Sequence, residues 1–81
     1  MAGQLPEKPK ITFGIYGHYR GGQYEVSSLV FNAETDKWDV LYKKTSDGQM
    51  FTRSVDNFLS EVRFGVQRFR LLESYNMPYD A

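Results

Sequence analysis

The only histidine of the chain lies in the segment "GIYGHYRGGQY", residues 14–24, between two tyrosines and beside an arginine. An imidazole acts as a general base when a hydroxyl nucleophile lies beside it. His18 could serve a hydrolase in this way, with Ser27, Ser28 or Thr45 as the nucleophile. The sequence around these hydroxyls is not that of a nucleophile elbow, and a neutral imidazole hydrogen-bonded across a hairpin explains His18 equally well. We therefore expect no catalysis, and a small hydrolase is the least favoured alternative.

The other chemical groups of the sequence do not form a recognisable cofactor site. The chain has no cysteine and one histidine, whereas a structural metal site uses several such ligands at regular spacing. Glu34, Asp36 and Asp39 are close in sequence but lack the spacing of a calcium-binding loop. The glycines are not part of the G-x-x-x-x-G-K pattern that holds phosphates. We expect neither a metal nor another cofactor.

A contact with a protein or peptide is a better explanation of the segment around His18. Tyr16, His18 and Arg20 alternate with odd-numbered apolar residues, so they share one face of the first predicted strand. Tyr and Arg are over-represented among the residues that contribute most to interfaces. If the apolar residues line the interior, these three point to solvent; alternatively, Tyr16 and His18 only cover a neighbouring strand. The predicted partner-binding surface consists of Tyr16, His18, Arg20, Tyr24, Tyr42 and Arg53.

Single-stranded nucleic acid is the alternative partner, because aromatic side chains stack with unpaired bases and arginines neutralise phosphates. Residues 43–70 carry six basic and three acidic side chains, a net charge of +3. The whole chain, however, has a net charge of zero and a pI of about 6.6, whereas nucleic-acid-binding domains are usually basic. A protein partner is therefore favoured. For Arg53, an ion pair with Asp39 or Asp56 is the simpler explanation.

The residues around His18 lie on a predicted β-hairpin. Ile11, Phe13 and Ile15 alternate with polar residues, as in a strand with one buried face. The glycines within this strand indicate a kink or a close approach by another backbone. Gly21-Gly22 accepts positive φ, which predicts a tight turn at "RGGQ". The return strand covers residues 23–31, with a bulge at Ser27-Ser28 where the apolar pattern changes phase.

The second half of the sequence predicts a further hairpin, a short helix and a last strand. Strands are expected at Lys37–Lys44 and at residues 49–53, with a turn at Asp47-Gly48 between them. Ser54 is a suitable N-cap for one or two helical turns with Asp56 in the first turn. A last strand is expected at 63–72. The residues assigned to the interior are Trp38, Val40, Phe58, Leu59 and Phe69.

The length and the pattern together predict a mainly β fold: a small SH3-like barrel of about five antiparallel strands with one short helix before the last strand. Eighty-one residues suffice for one domain, which we place at 11–72, after a flexible leader at 1–10 and before a tail at 73–81. No stretch is apolar enough for a signal peptide or a membrane span, so we expect a cytoplasmic protein. We expect a monomer or a homodimer, since an unprotected edge strand can pair with a second copy.

Several segments also resemble a known family in their order and spacing. They are "GIYGHYRGGQYEV", Glu34-Thr35, Tyr42, "MFTRS", Phe58, Val62 and Arg68-Phe69. The chain resembles the bacterial domain-of-unknown-function family 1653 over residues 14–70. The resemblance implies an SH3-type barrel and a set of candidate positions, but no reaction. The family usually has Trp and Pro around the central arginine, where this chain has Phe51 and Ser54.

Overall fold

The computed structural model describes residues 7–75 of the chain. Strands account for more than half of this range, and one short helix follows the fourth strand. The elements, in chain order, are β1 (Gly14–His18), β2 (Gln23–Asn32), β3 (Lys37–Lys44), β4 (Met50–Ser54), α1 (Val55–Phe58), β5 (Glu61–Arg63), β6 (Val66–Gln67) and β7 (Phe69–Ser74). The predicted mainly β class is confirmed.

Five strands form one antiparallel sheet in the order β4-β3-β2-β1-β7, and β5 pairs with β6 in a separate two-stranded sheet. The prediction of five antiparallel strands with one short helix is therefore confirmed. β7 pairs with β1, so the last strand of the described chain lies beside the first. Within residues 7–75 no ladder joins β4 to β7, which leaves both at an edge of the sheet. An SH3-like closed barrel stays a prediction.

The turn between β1 and β2 is the one predicted from "RGGQ". The His18 amide donates to the Gly22 carbonyl over 3.1 Å, and the Gly21 amide donates to the His18 carbonyl over 2.7 Å. Gly21 and Gly22 have φ angles of 106° and 89°, which residues with a Cβ rarely adopt. Glycine is therefore the favoured residue at both positions of the turn. The turn follows His18 directly, so His18 lies at the end of β1.

The other local features of the two hairpins are confirmed as well. The pairing of β2 with β3 shifts register between Val26 and Ser28, which is the predicted bulge. β3 has the predicted bounds, and β4 follows the turn at Asp47-Gly48. A close backbone approach occurs at Gly14, because a Cβ there would overlap the carbonyl oxygen of Glu73. These features depend on residues close in sequence or on the absence of a side chain.

α1 begins where the sequence predicts, and its single turn lies within the predicted one or two turns. The Ser54 hydroxyl accepts a hydrogen bond from the Asn57 amide over 3.2 Å, and Asp56 lies in the first turn. Phe58 is fully buried. The interior position predicted for Leu59 is wrong, since this side chain is 51% exposed. The helix ends at Phe58, and Leu59 is its C-cap residue, so Leu59 does not continue the buried face of the helix.

The single last strand predicted at 63–72 is wrong in its first half. Residues 61–67 form the β5–β6 hairpin, with Phe64 and Gly65 in its turn. β7 begins only at Phe69 and continues to Ser74. The alternation of apolar residues does not distinguish one long strand from a short hairpin followed by a strand, because both keep a period of two.

The two ends of the described chain both contact the sheet. Lys8, within the predicted leader, lies with its ammonium 5.8 Å from the centre of the Trp38 ring. At the other end, the Tyr75 amide donates to the Phe13 carbonyl over 2.9 Å. Residues 1–6 of the predicted leader and 76–81 of the predicted tail lie outside the described residues.

The core consists of aromatic and β-branched side chains from the sheet and from α1. Its interior is built around Phe58, Val26 and Val40, which are fully buried, and Trp38 is partly buried against it. The interior positions predicted for Val40, Phe58 and Phe69 are confirmed. The buried residues are Tyr16, Val26, Val40, Tyr42, Val55, Phe58 and Phe69.

β1 turns the opposite set of side chains to the core from the one predicted. Tyr16 is 5% exposed, whereas Phe13 is 38% exposed and Ile15 is half-buried. The prediction that the odd-numbered residues line the interior is therefore wrong. The Tyr16 ring packs edge-on against Phe58 at 5.1 Å, and its hydroxyl donates to the Thr12 carbonyl over 2.6 Å. Burial thus removes a large ring from water without leaving its polar group unpaired.

Candidate functional site

Four of the six predicted site residues, His18, Tyr24, Tyr42 and Arg53, meet at the ring of Phe69, at the start of β7. This ring is 5% exposed, and β7 places Phe69 opposite His18 of β1. Phe58 stacks on it with ring centres 4.1 Å apart, and the Arg53 guanidinium lies 5.7 Å from its centre. Three further rings contact it edge-on, those of His18, Tyr24 and Tyr42. Phe69 therefore brings together side chains from β1, β2, β3 and β4.

The six predicted residues are divided between the core and the surface. Tyr16 and Tyr42 are only 5% and 4% exposed, so a partner cannot contact them over a sizeable area, and a displayed position is wrong for both. The other four are half-buried or exposed, namely His18, Arg20, Tyr24 and Arg53. The structure thus brings the six residues to one region but leaves only four of them accessible.

His18 is a neutral imidazole held by its own turn. Its Nδ1 accepts a hydrogen bond from the Arg20 amide over 3.1 Å, so Nε2 carries the proton. Burial lowers the pKa of His18, and the positive charges of Arg53, Arg68 and Arg20 lower it further. The imidazole is therefore hydrogen-bonded within its own turn and not across the hairpin, and it is uncharged at neutral pH.

Arg53 points into the same region from β4. Its Nε donates to the Tyr42 hydroxyl over 2.8 Å, and its Nη1 donates to Oδ1 of Asn57. The ion pair predicted with Asp39 or Asp56 is not formed within the described part of the chain. The Asp39 carboxylate accepts instead from a side-chain amide at the end of β2 over 3.1 Å. The Arg53 charge is therefore held by neutral groups.

Two further arginines lower the pKa of His18 through their charges. They are Arg68, the residue before β7, and Arg20, in the turn after His18. The Arg20 guanidinium lies 5.7 Å from the centre of the Tyr19 ring. Nε of Arg68 donates to the Ser60 hydroxyl over 3.3 Å. Like Arg53, both of these cations contact neutral groups.

The arginines around His18 are not neutralised by carboxylates. Among residues 7–75 the one ion pair joins Lys43 to Glu25, with 3.4 Å between Nζ and Oε1. The result is a locally positive surface on a chain whose net charge is zero. We define the His18 surface as His18, Arg20, Tyr24, Arg53 and Arg68.

A groove of about 590 Å³ borders the His18 surface. One side is formed by residues 17–19, and the other by the β5–β6 hairpin and Arg70. Phe64, in the turn of that hairpin, is 99% exposed. Sequence reasoning did not assign Phe64, Arg68 or Arg70 to a site. The available signal was "RFR", in which two arginines flank the buried Phe69.

The hydrolase alternative needs a hydroxyl group beside His18. Among residues 7–75 no hydroxyl is hydrogen-bonded to His18, and the Thr45 hydroxyl donates to the Gln23 carbonyl over 3.3 Å. The same residues contain no group of three or more histidine, cysteine, aspartate or glutamate side chains placed to hold a metal ion. No helix within them is both long enough and apolar enough to cross a membrane.

Comparison with known proteins gives one match. The model of the family described as "Protein of unknown function (DUF1653)" matches residues 14–71. This range extends from the first residue of β1 into β7, and it includes the whole His18 surface. A search of the curated proteins found no match, and neither did a search of the solved structures.

Proposed function

This chain belongs to the family of proteins of unknown function DUF1653, and we propose that it is a non-catalytic module that binds a protein or peptide partner through the His18 surface. The partner segment that fits this surface is acidic. We place the module in the cytoplasm as part of this proposal, since a chain without cysteine forms no disulfide and needs no oxidising compartment.

The observation that supports this proposal is the convergence of three arginines on a neutral imidazole. Burial lowers the pKa of His18 most, and the charges of Arg53, Arg68 and Arg20 lower it further. Within residues 7–75 none of them forms an ion pair. A ligand that brings negative charge is attracted by these three cations and gains specificity from that attraction.

The side chains between the arginines favour a peptide over a simple polyanion. The Tyr24 ring lies 6.0 Å from both the His18 and the Phe51 ring, measured between centres. Phe51 is 38% exposed, which leaves apolar area beside the charges. Arginine binds carboxylates through paired hydrogen bonds, and aromatic residues anchor apolar side chains. An acidic segment with interspersed apolar residues uses both kinds of contact.

Fluorescence polarisation with two labelled peptides tests this proposal. The first peptide has glutamate alternating with leucine, and the second has glutamine in place of glutamate. We expect the wild-type chain to bind the first and not the second. The Arg20→Glu variant should bind the first at least about tenfold more weakly, because Arg20 is exposed and its charge faces the ligand. Binding should also raise the pKa of His18, since a nearby carboxylate opposes the arginine charges.

The matched control is Lys37→Glu, which makes the same change of charge at the first residue of β3. Lys37 is exposed and pairs with Asn32, far from the turn that carries Arg20. We expect this variant to bind like the wild type. Equal affinity for the two peptides, or equal losses in the two variants, would show that the His18 surface does not recognise acidic segments.

Single-stranded RNA is the second candidate, and two exposed rings favour it. Tyr19 and Phe64 are 38% and 99% exposed, and Tyr19 lines the groove together with Arg70. Such rings stack on bases beside arginines that contact phosphates. Labelled oligouridylate distinguishes the candidates. If it binds more tightly than the acidic peptide at the same salt concentration, and Phe64→Ala removes this binding alone, RNA is the ligand.

A further inference from the structure

The outer edge of β7 is open within the described residues. β7 is the last strand of the five-stranded sheet and pairs with β1 along one side only. Every residue of β7 after Phe69 is exposed, including Leu71 at 41% and Leu72 at 44%. Such an edge presents unpaired amides and carbonyls, and the two leucines add apolar area that a contact would remove from water.

The sequence of β7 is complementary to itself when two copies run antiparallel. With a two-fold axis between Leu71 and Leu72, Arg70 of each copy lies opposite Glu73 of the other. Opposite charges at facing positions stabilise antiparallel strand pairs, and Leu71 of each copy lies beside the axis. Each contact then occurs twice, as a two-fold interface requires. We propose that a second copy of this chain docks on β7 and forms a homodimer with a continuous sheet.

The pairing of β7 with β1 places the two charged residues on the same face of the sheet. Arg70 lies opposite Gly17, and Glu73 lies opposite Ile15. Both β1 positions alternate with the buried Tyr16, so Arg70 and Glu73 point to the outer face. They can share this face although they are three residues apart, because the register shifts by one residue between them. In the dimer, both charge pairs therefore form on one side of the joined sheet.

Arg70 and Glu73 are available for such pairs. Both are exposed, and the one ion pair among residues 7–75 joins two other side chains, Lys43 and Glu25. The bulge interrupts the regular ladder at the leucines. Leucine packing thus occupies the centre of the interface, and the strand segments on either side of it supply the backbone hydrogen bonds.

The other edge strand does not have this property. β4, "MFTRS", contains no acidic residue, so two copies of it bring Arg53 no opposite charge. Arg53 is also held within its own chain by Tyr42 and Asn57. Self-complementarity therefore selects β7, and an exposed residue of β4 can serve as a control.

Sedimentation of the full chain over a range of concentrations tests the dimer. We expect a species of twice the 9.4 kDa chain mass. Arg70→Glu and Glu73→Arg should each raise the dissociation constant about tenfold or more, because each replaces two opposite-charge contacts with two like-charge contacts. The double variant that carries both exchanges should dimerise like the wild type, since the pairs are restored with reversed polarity. Circular dichroism confirms that each variant is folded.

Further variants test whether the dimer forms through the edge of β7. Met50→Lys, on the exposed edge of β4, should leave the dissociation constant unchanged. The chain has no cysteine, so Leu71→Cys, directly beside the axis, should form a disulfide-linked dimer on mild oxidation, whereas Met50→Cys should not. A chain that stays monomeric at every concentration overturns the proposal. A dimer insensitive to both single exchanges, or one that the double exchange fails to restore, overturns it as well.

Discussion

His18 shows how the surroundings of a single residue decide its charge. The backbone amide of Arg20 occupies Nδ1, and burial lowers the pKa of the imidazole before any charge acts on it. The charges of Arg53, Arg68 and Arg20 act in the same direction. Around neutral pH the residue is therefore an uncharged hydrogen-bond donor through Nε2, and the positive charge of the surface comes from the arginines alone.

We predict that Arg20→Gln raises the pKa of His18 toward its ordinary value. The substitution removes one of the three charges but keeps the backbone amide that holds Nδ1. NMR titration measures this directly, because the chain contains a single imidazole. Lys37→Gln is the control and should leave the titration unchanged. A wild-type pKa at or above the ordinary value of histidine would contradict the described environment.

The same lowered pKa has a consequence for stability. The folded state disfavours the charged imidazole relative to the unfolded chain. Above the pKa of His18 in the unfolded chain, the free energy of unfolding is not reduced by this residue. As the pH falls from that value through the lower pKa of the folded state, the unfolded chain binds the proton more readily and the free energy of unfolding decreases.

At the same scale, Tyr16 shows what a pattern of residue types leaves undecided. The alternation of β1 predicts that one set of side chains is buried, and this is confirmed, but the pattern fits either set. Both contain large apolar groups, since a tyrosine ring buries as much area as a leucine or more. The choice is made by Phe58, which contacts Tyr16 from α1, and by the Thr12 carbonyl that satisfies the hydroxyl. A distant partner thus decides which face of β1 is the core.

At the scale of the elements, the contact between β1 and β7 depends on a missing side chain. Gly14 lies opposite Ser74, and the backbone of Glu73 occupies the space where a Cβ would be. The φ angle of Gly14 is 155°. The two strands therefore come close together only because residue 14 has no side chain, which explains the glycine that interrupts the apolar pattern.

We predict that Gly14→Ala lowers the free energy of unfolding by about 3 kcal/mol, because it adds a backbone clash to an unfavourable conformation. Gly21→Ala is the control: its φ angle is also positive, but no atom lies within 4 Å of the added Cβ. That variant should lose only about 1 kcal/mol, the cost of the conformation. Urea denaturation measures both. Equal losses would show that the approach of Glu73 is not tight.

The elements that the sequence predicts correctly are those whose signals are local. The Ser54 cap, the glycine turn and the bounds of β3 depend on neighbouring residues, and all three are confirmed. The β5–β6 hairpin was missed because its two strands together have only five residues, too few to show a period. The convergence on Phe69 could not be predicted either, since it depends on the strand order, which brings β7 to the side of β1.

At the scale of the whole molecule, one aromatic cluster links most of the sheet to the helix. Phe69 of β7 stacks on Phe58 of α1, and Tyr42 of β3 contacts both rings edge-on. Aromatic pairs of this kind each contribute about 0.5–1.5 kcal/mol beyond the area they bury. A domain this small buries a modest fraction of its surface, so its stability depends on such contacts. The His18 surface lies on this cluster, and its residues are thereby held in place by the core.

A polar contact fastens the end of the described chain to the middle of the sheet. The Tyr75 hydroxyl donates to Oε2 of Glu25 over 2.6 Å, and Lys43 forms an ion pair with the same carboxylate. The hydrogen bond raises the pKa of Tyr75 to about 12. It also lowers the pKa of Glu25, as does the Lys43 charge to a smaller degree, against the opposing effect of desolvation. Residue 75 is thereby joined across β1 to β2 and β3.

We predict that Tyr75→Phe destabilises the protein at neutral pH and that this loss disappears in acid. A carboxyl group with a lowered pKa in the folded state adds stability that is present above its pKa in the unfolded chain. That contribution is lost as the pH falls through the folded-state pKa. The free energies of unfolding of wild type and variant, measured with urea at several pH values, should therefore converge below that point.

The control uses a Glu25→Gln background. There the Tyr75→Phe substitution should produce no such convergence, because the titrating carboxyl is gone. A difference independent of pH in the wild-type background would mean that Tyr75 stabilises the sheet through its ring or backbone and not through Glu25.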